Sequence, residues 1–443
     1  MEKKDVAVIQ RAYLVPFIVI TSLFAMWGFA NDITNPLVAA FRTIMEISNF
    51  EAAWVQLAFY GGYGTMAIPA ALFIRRFSYK SGILMGLMLY ATGALLFYPA
   101  ARFEMFGFFL LSLYILTFGL AFLETTANPF ILSMGDEQTA TRRLNFAQSF
   151  NPMGSLTGMF VATNFILSAL HSEERNEAGE LIFSTLAEAE KAVIRSHDLM
   201  VIRNPYVILG FVVLAMFVVV ALLKMPKTEA LHSRETPVSA SALRLFRNRR
   251  YMFGVIAQVF YVGVQIMCWT FIIHYAESIG LTKAQGQNYN IVAMIIFLTS
   301  RFISTWFMKY FRASLMLAIF AVGGALTTLG VIFIGGMTGL YFLVATSGFM
   351  SLMFPTIYGI ALQGLKEDST LGAAGLVMAI VGGALMPPLQ AKIIDLEWVG
   401  SLPAVNFSFV LPLICFVVIA LYGLYSYRDR LNTDNLRSVS ARA

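Results

Sequence analysis

Glu124 is the only ionisable residue in the apolar run FGFFLLSLYILTFGLAFLETTANPFILSM, residues 106–134. An ionised group in hydrocarbon costs about 2.5–3.5 kcal/mol or more, so a carboxyl placed there needs a cavity, a partner or a proton. Its natural chemistry is to take up and release a proton. Thr125, Thr126 and Asn128 add hydroxyls and an amide beside it, and Pro129 interrupts the helical hydrogen-bond ladder. A second carboxylate, Asp32, lies in the first apolar run with Asn31, Thr34 and Asn35, just before Pro36. Asp32 reads either as a further proton site or as an acceptor for ligand hydroxyls. The oxygens of Asp32, Asn35 and Glu124 would also suit a hard cation. Proton and sodium therefore both stand as coupling ions.

Other polar groups recur at helical spacing. Asp32 and Asn35 are three apart, Glu124 and Asn128 four apart, and Gln148 and Asn151 three apart, with Pro152 following. Gln258, Tyr261, Gln265 and Trp269 make one stripe, and Asn288 and Tyr358 lie in later apolar runs. Amides supply both donors and acceptors to vicinal hydroxyls, and an aromatic face packs on the C–H face of a sugar ring. Asn31, Asn35, Asn128, Gln148, Asn151, Gln258, Tyr261, Gln265, Trp269, Asn288 and Tyr358 are therefore the expected contacts to an uncharged, polyhydroxylated substrate. Taken singly, any of these amides could equally be holding helices together, at about 0.6–2 kcal/mol each.

No basic cluster marks a carboxylate or phosphate substrate. Arg301 reads as a cation that snorkels to the interface or caps a neighbouring helix, and His274 as interfacial. Gly61, Gly62 and Gly64 read as points of close helix approach. Cys268 and Cys415 have no spaced partner and read as small apolar fillers. With no nucleophile–base pair, phosphate loop or metal cluster, no enzymatic activity, cofactor or bound metal is expected.

The elements that must position these groups follow from composition. The 443 residues are 58% apolar and 13% charged, with a mean hydropathy of +0.72; soluble domains hold about 45–50% and about 25%. Apolar runs long enough to cross a bilayer recur at 14–38, 50–74, 81–100, 105–133, 143–169, 205–224, 247–275, 286–309, 313–336, 338–363, 369–393 and 402–427. The reading is an all-α membrane protein of twelve transmembrane helices in two six-helix halves. Residues 1–224 form the first half, 225–246 a cytoplasmic linker, and 247–443 the second half with a short tail.

Arg75, Arg76, Lys80, Arg142, Arg143, Lys224, Lys227, Arg234, Arg244, Arg247, Arg249, Arg250, Lys309, Arg312, Lys366, Arg428 and Arg430 fall in loops on one side. Arg42, Arg102, Arg175, Lys191, Arg195, Arg203, Lys283 and Lys392 fall on the other. The bias puts both termini in the cytoplasm. The net charge of +6 thus reflects membrane topology and implies no nucleic-acid partner. The stretch EAGELIFSTLAEAEKAVIRS in the outer loop 170–204 has helical periodicity and is expected as a short interfacial helix or a plain surface loop. No cleavable signal segment is expected.

The strings FYGGYGTMAIPAALFIRRFSYKSGILMGLMLYATGALLFYPAA, GLAFLETTANPF, RRLNFAQSFNPMGS and YVGVQIMCW resemble the fucose:proton symporter branch of the major facilitator superfamily. The resemblance runs from about Tyr13 to the last span and is sharpest at LETTANPF and RLNFAQSFN. It implies the major facilitator fold, with the substrate site near the midplane, in an inner-membrane sugar transporter expected to act as a monomer among lipids. It implies that Glu124 is the proton-coupling carboxylate and that Gln148 and Asn151 are a polar pair of the site. The first span departs from the pattern: where the family has an Asp, this chain has Asn35, and its carboxylate is Asp32.

The branch includes glucose/galactose and N-acetylglucosamine permeases, so sugar is implied more firmly than L-fucose. Symport by alternating access is the expected mechanism. A proton-driven exporter on the same scaffold, or a non-transporting sugar sensor, is the rival.

Overall fold

The computed structural model describes residues 7–34, 37–48, 51, 54–174, 176, 181–224, 237–396 and 398–440. Nearly everything described is helical, as hydrocarbon demands, because a spanning segment must satisfy its backbone groups internally. Among the described residues, eleven helices are long and apolar enough to cross a membrane. The remaining expected span, 143–169, the fifth in chain order, is in four pieces: α7 (Glu137–Gln148), α8 (Phe150–Val161), a π-helical turn, Ala162–Ile166, and a 3-10 turn, Leu167–Ala169. Counted as one broken span, it completes the twelve.

The chain forms two compact units. Ile18–Ala127 with Phe150–Leu231 make the first; Met1–Phe17, Asn128–Ser149 and His232–Ala443 make the second. The expected linker falls partly at 225–236, outside the described residues.

The first unit contains most of α1 (Leu14–Thr34), then α2 (Leu37–Ile44), α3 (Trp54–Arg76), α4 (Tyr79–Leu95), α5 (Phe97–Phe103), the larger part of α6 (Phe106–Ser133), α8, and α9 (Glu188–Leu222). Ser78 starts α4 by accepting the backbone N–H of Ser81. The seam of α4 with α6 decides where Glu124 sits. A Cβ on Gly82 would lie 2.8 Å from Thr126 Oγ1, one on Gly86 2.7 Å from Leu123 Cγ, and one on Gly93 2.2 Å from the Leu116 backbone nitrogen. Gly119 answers from α6, where a Cβ would meet the Tyr90 nitrogen at 2.3 Å. Small residues here let two backbones touch, and the contact runs on both sides of Glu124. Of the three glycines in α3, only Gly62 is used this way, 2.7 Å from the Thr117 Cβ; a Cβ on Gly64 would meet nothing within 4 Å.

The helix α9 corrects the expected outer loop. It begins at Glu188 and runs unbroken through Pro205 to Leu222, 35 residues. The helical part of that loop is thus the start of the sixth span and no separate interfacial helix. The expected span begins at Pro205, but a membrane helix tolerates an interior proline when its surroundings accommodate the freed backbone groups. The extension is tied down at its sides. Asp198 accepts the backbone N–H groups of His171 and Ser172 at 3.0 and 2.8 Å, and Lys191 reaches Glu46 at 2.7 Å.

The second unit holds α7, α10 (Val238–Arg247), α11 (Arg249–Ser278), α12 (Lys283–Phe307), α13 (Ala313–Phe333), α14 (Gly336–Met350), α15 (Met353–Leu362), α16 (Ser369–Met378), α17 (Gly382–Ile394), α18 (Ala404–Ser408) and α19 (Val410–Ser440). Among the described residues it has one hairpin of two-residue strands, Trp398–Val399 with Leu402–Pro403. Arg143 was counted above among loop charges, yet it is fully buried. It donates to the carbonyls of Ile131 and Leu132 at 2.7 and 2.6 Å, in the last turn of α6 where helical donors run out, and to that of Val8 at 3.1 Å.

Gly93→Leu is expected to destabilise the detergent-solubilised protein by about 1–3 kcal/mol through overpacking, lowering its thermal midpoint, while Gly64→Ala leaves it unchanged. Equal midpoints for both variants would contradict the seam.

Candidate functional site

Each unit carries its own set of polar groups. In the first, Glu124 is partly accessible, while its Oε2 is buried and has no hydrogen-bond partner. Its helical neighbours Thr125, Thr126 and Ala127 are buried. Tyr63 lies in electrostatic reach of Glu124 and of Tyr60, and Tyr60 in reach of Asp32. The two tyrosines are one turn apart on α3, buried, and both in edge contact with Phe59, at 5.7 and 5.9 Å between ring centres. Electrostatic range thus links Asp32 to Tyr60, Tyr60 to Tyr63 and Tyr63 to Glu124.

Asn31 and Asp32 are partly exposed on α1. Asn151, in the first turn of α8, donates to the Phe24 carbonyl at 3.2 Å. Phe24 meets Trp27 edge-on at 4.4 Å, and the buried indole N–H of Trp27 has no partner. Asn35 lies outside the described residues.

In the second unit the expected stripe on α11 becomes part of a wider band. Gln258 is fully buried with both amide atoms unpartnered, beside the buried Tyr261. Gln265 and Trp269 are partly exposed. Trp269 donates to Ser347 at 3.2 Å and meets Phe297 edge-on at 5.0 Å. Arg301, one turn along α12, places its guanidinium 4.5 Å from the Phe297 ring centre and next to the Tyr261 hydroxyl. Tyr261 contacts Phe354 at 6.1 Å, and Phe354 stacks on the buried Tyr358 at 6.2 Å. Gln148 donates to Asn128 at 2.9 Å, which leaves the buried Asn128 NH2 without an acceptor. Asn145 reaches Thr356 at 3.0 Å.

Buried polar atoms without partners are rare and costly, and those of Asn128 and Gln258 belong to this band. Unpartnered donors and acceptors beside tryptophan, tyrosine and phenylalanine are what a polyhydroxylated ligand requires.

Two expectations change. Asn288 is exposed in the first turns of α12 and does not join the band; Asn290 instead has a buried, unpartnered Oδ1. Both sit in the polar start of that helix, KAQGQNYN, whose rotation spacing alone leaves open. Arg301 does not snorkel. It is 3% exposed and takes the capping alternative, donating to the carbonyls of Gln148 at 3.0 Å and of Ser351. These carbonyls end α7 and follow α14, so Arg301 caps two helix ends at once. Tyr60, Tyr63, Trp27, Phe297 and Ser347 were not among the expected site residues. The one-turn spacings Tyr60/Tyr63 and Phe297/Arg301 were the available signals.

The family profile described as Major Facilitator Superfamily matches residues 18–387. The chain belongs to that superfamily. It is 68% identical, over 95% of its length and 98% of the relative's, to an L-fucose-proton symporter of Haemophilus influenzae. It is 34% identical to an L-fucose-proton symporter of Escherichia coli, over 95% of each chain. The crystal structure of FucP, a Major Facilitator Superfamily transporter in the outward conformation, superposes with a TM-score of 0.85 at 32% identity, covering 94% of this chain and 99% of that one. The fold is the major facilitator fold, and the fucose-permease branch is its place within it.

Arg301→Met is expected to leave buried carbonyls unsatisfied and to cost about 1–3 kcal/mol for each group so exposed, read as a lower thermal midpoint. Arg301→Lys should recover only part of the loss, because an ammonium has no planar fork to span both carbonyls. A wild-type midpoint for Arg301→Met would rule the double cap out as a stabilising contact.

Proposed function

We propose that this protein is an L-fucose:proton symporter of the inner membrane, with both termini in the cytoplasm, and that Glu124 carries the coupled proton. The reading is supported by the identity to L-fucose-proton symporters. The single observation that carries the role of Glu124 is its buried, unpartnered Oε2 in a membrane-spanning helix. The loop-charge bias supports the orientation.

The mechanism follows from what each unit holds. An ionised Glu124 with one oxygen cut off from donors is costly, and a proton removes that cost. Tyr63 and Tyr60 extend the electrostatic surroundings of the acid to Asp32, which serves as a second acid or as an acceptor for sugar hydroxyls. The amide and aromatic groups Gln148, Asn128, Gln258, Tyr261, Gln265, Trp269 and Tyr358 of the second unit bind the sugar; Asn31 and Asn151 are the amides that the first unit offers. Proton and sugar each stabilise the same state over its alternative, and rocking of the halves then exposes both to the cytoplasm. By linkage, a proton that strengthens sugar binding is itself held more tightly when sugar is bound.

In proteoliposomes, Glu124→Gln should abolish fucose accumulation driven by an imposed pH difference while leaving sugar exchange at an unchanged pH intact. Accumulation at the wild-type rate would remove Glu124 as the coupling group. Uptake in sodium-free buffer should match that in sodium; dependence on sodium would replace the proton. Fucose should outcompete galactose, glucose and N-acetylglucosamine in the same vesicles.

A further inference from the structure

The first unit carries a cavity whose lining includes neither Glu124 nor Asp32. It lies along α1, α8 and α9 and encloses about 770 Å3, within the range of about 300–1,000 Å3 usual for small-molecule sites. Phe29, Met153, Phe165, Ile208 and Val212 make its walls apolar. Its floor is fixed by Gly154, where a Cβ would fall 1.7 Å from the Ala25 carbonyl oxygen, so α8 seats directly on α1. Apolar walls alone suit any hydrocarbon facing a membrane helix.

One end of the cavity is different. Val201, Asn204 and Pro205 line it, and because proline has no N–H, the Val201 carbonyl lacks its helical donor. Next to Asn204 stands Arg203. Its Nε and Nη2 donate to Asn204 Oδ1 at 3.2 and 3.0 Å, and its guanidinium lies 4.7 Å from the ring centre of Tyr98. Among the described residues no carboxylate forms an ion pair with it. No charged residue follows until Lys224, so Arg203 is the last cation before the apolar length of α9. The helix would reach about 52 Å at 1.5 Å per residue, against a hydrocarbon core of about 30 Å. Part of it must therefore extend past the core or tilt within it, and the charge boundary at Arg203 marks where the apolar part begins.

We propose that this groove binds one anionic glycerophospholipid. Its phosphate lies on Arg203 and Asn204, and an acyl chain runs along Phe29, Met153 and Ile208. A guanidinium fork matches phosphate geometry and keeps its charge. The uncompensated cation and the apolar trough then meet the two ends of one amphipathic molecule.

Native mass spectrometry of the full chain released from nanodiscs of equal phosphatidylglycerol and phosphatidylcholine tests this. The wild type should retain phosphatidylglycerol over phosphatidylcholine by about tenfold, because both lipids offer a phosphate but only the choline headgroup brings a second cation beside Arg203. Arg203→Gln should bring the ratio close to one, and Arg203→Lys should keep part of it. Thr157→Trp, placed on the exposed wall of the groove, should lower retention of both lipids. Each variant should keep wild-type sugar exchange, which shows that it is folded. Should Thr157→Trp fail that check, Met153→Trp fills the same trough. Equal retention of the two lipids by the wild type, or an unchanged preference in Arg203→Gln, overturns the proposal. Displacement of phosphatidylglycerol by excess glycerol phosphate would also overturn it, by assigning the site to a soluble phosphate.

Discussion

A carbonyl freed inside hydrocarbon has no water to turn to, and this fold solves that problem with buried arginines. Arg301 donates to the carbonyls of Gln148 and Ser351, where one helix ends and another gives way to a turn. Arg143 does the same for Ile131 and Leu132 at the end of α6. Each guanidinium is a stiff fork with several donors and no acceptor, so it can hold two chain ends at a fixed spacing. Without such donors the breaks around Gln148 would carry an uncompensated cost, and an unbroken helix would be the cheaper structure.

The breaks are also where the polar side chains of the candidate site project. Gln148 closes α7, Asn151 opens α8, and Ser351 lies between α14 and α15. The same guanidinium that satisfies the backbone packs on Phe297 and borders Tyr261. One side chain thus satisfies two backbone carbonyls and packs against an aromatic ring of the candidate band, so a substitution of Arg301 disturbs both contacts.

Chemistry is unevenly divided. The acids Glu124 and Asp32, with Tyr60 and Tyr63, belong to the first compact unit; the band of amides and aromatic rings on α11, α12 and α15 belongs to the second. A proton and a sugar bound to one protein are coupled when both favour the same conformation over its alternative, whichever unit holds each of them. The glycine seam of α4 on α6 then matters beyond packing, because it leaves little freedom in where the acid is held.

Much of this was legible in the residues alone. The number of spans and the conspicuousness of Glu124 follow from one fact, that hydrocarbon penalises unpaired polar groups, so any such group in an apolar run stands out without a structure. Helical spacing likewise put Gln258, Tyr261, Gln265 and Trp269 on one stripe. Spacing does not fix how a helix is rotated against its neighbours, and Asn288 proved exposed for that reason. Nor does it say what a buried cation touches: the partners of Arg301 are 153 and 50 residues away, and those of Arg143 include Val8, 135 residues away. The extended start of α9 was hidden behind Pro205, whose local preference is a break and whose effect is overruled by contacts to Glu46, His171 and Ser172. The sequence by itself determined the solvent the chain lives in, the count of its helices and the acid worth watching, because each follows from local hydropathy. Only tertiary structure decided the partners of the buried arginines and the company kept by the acid, because those depend on contacts between residues far apart in the chain.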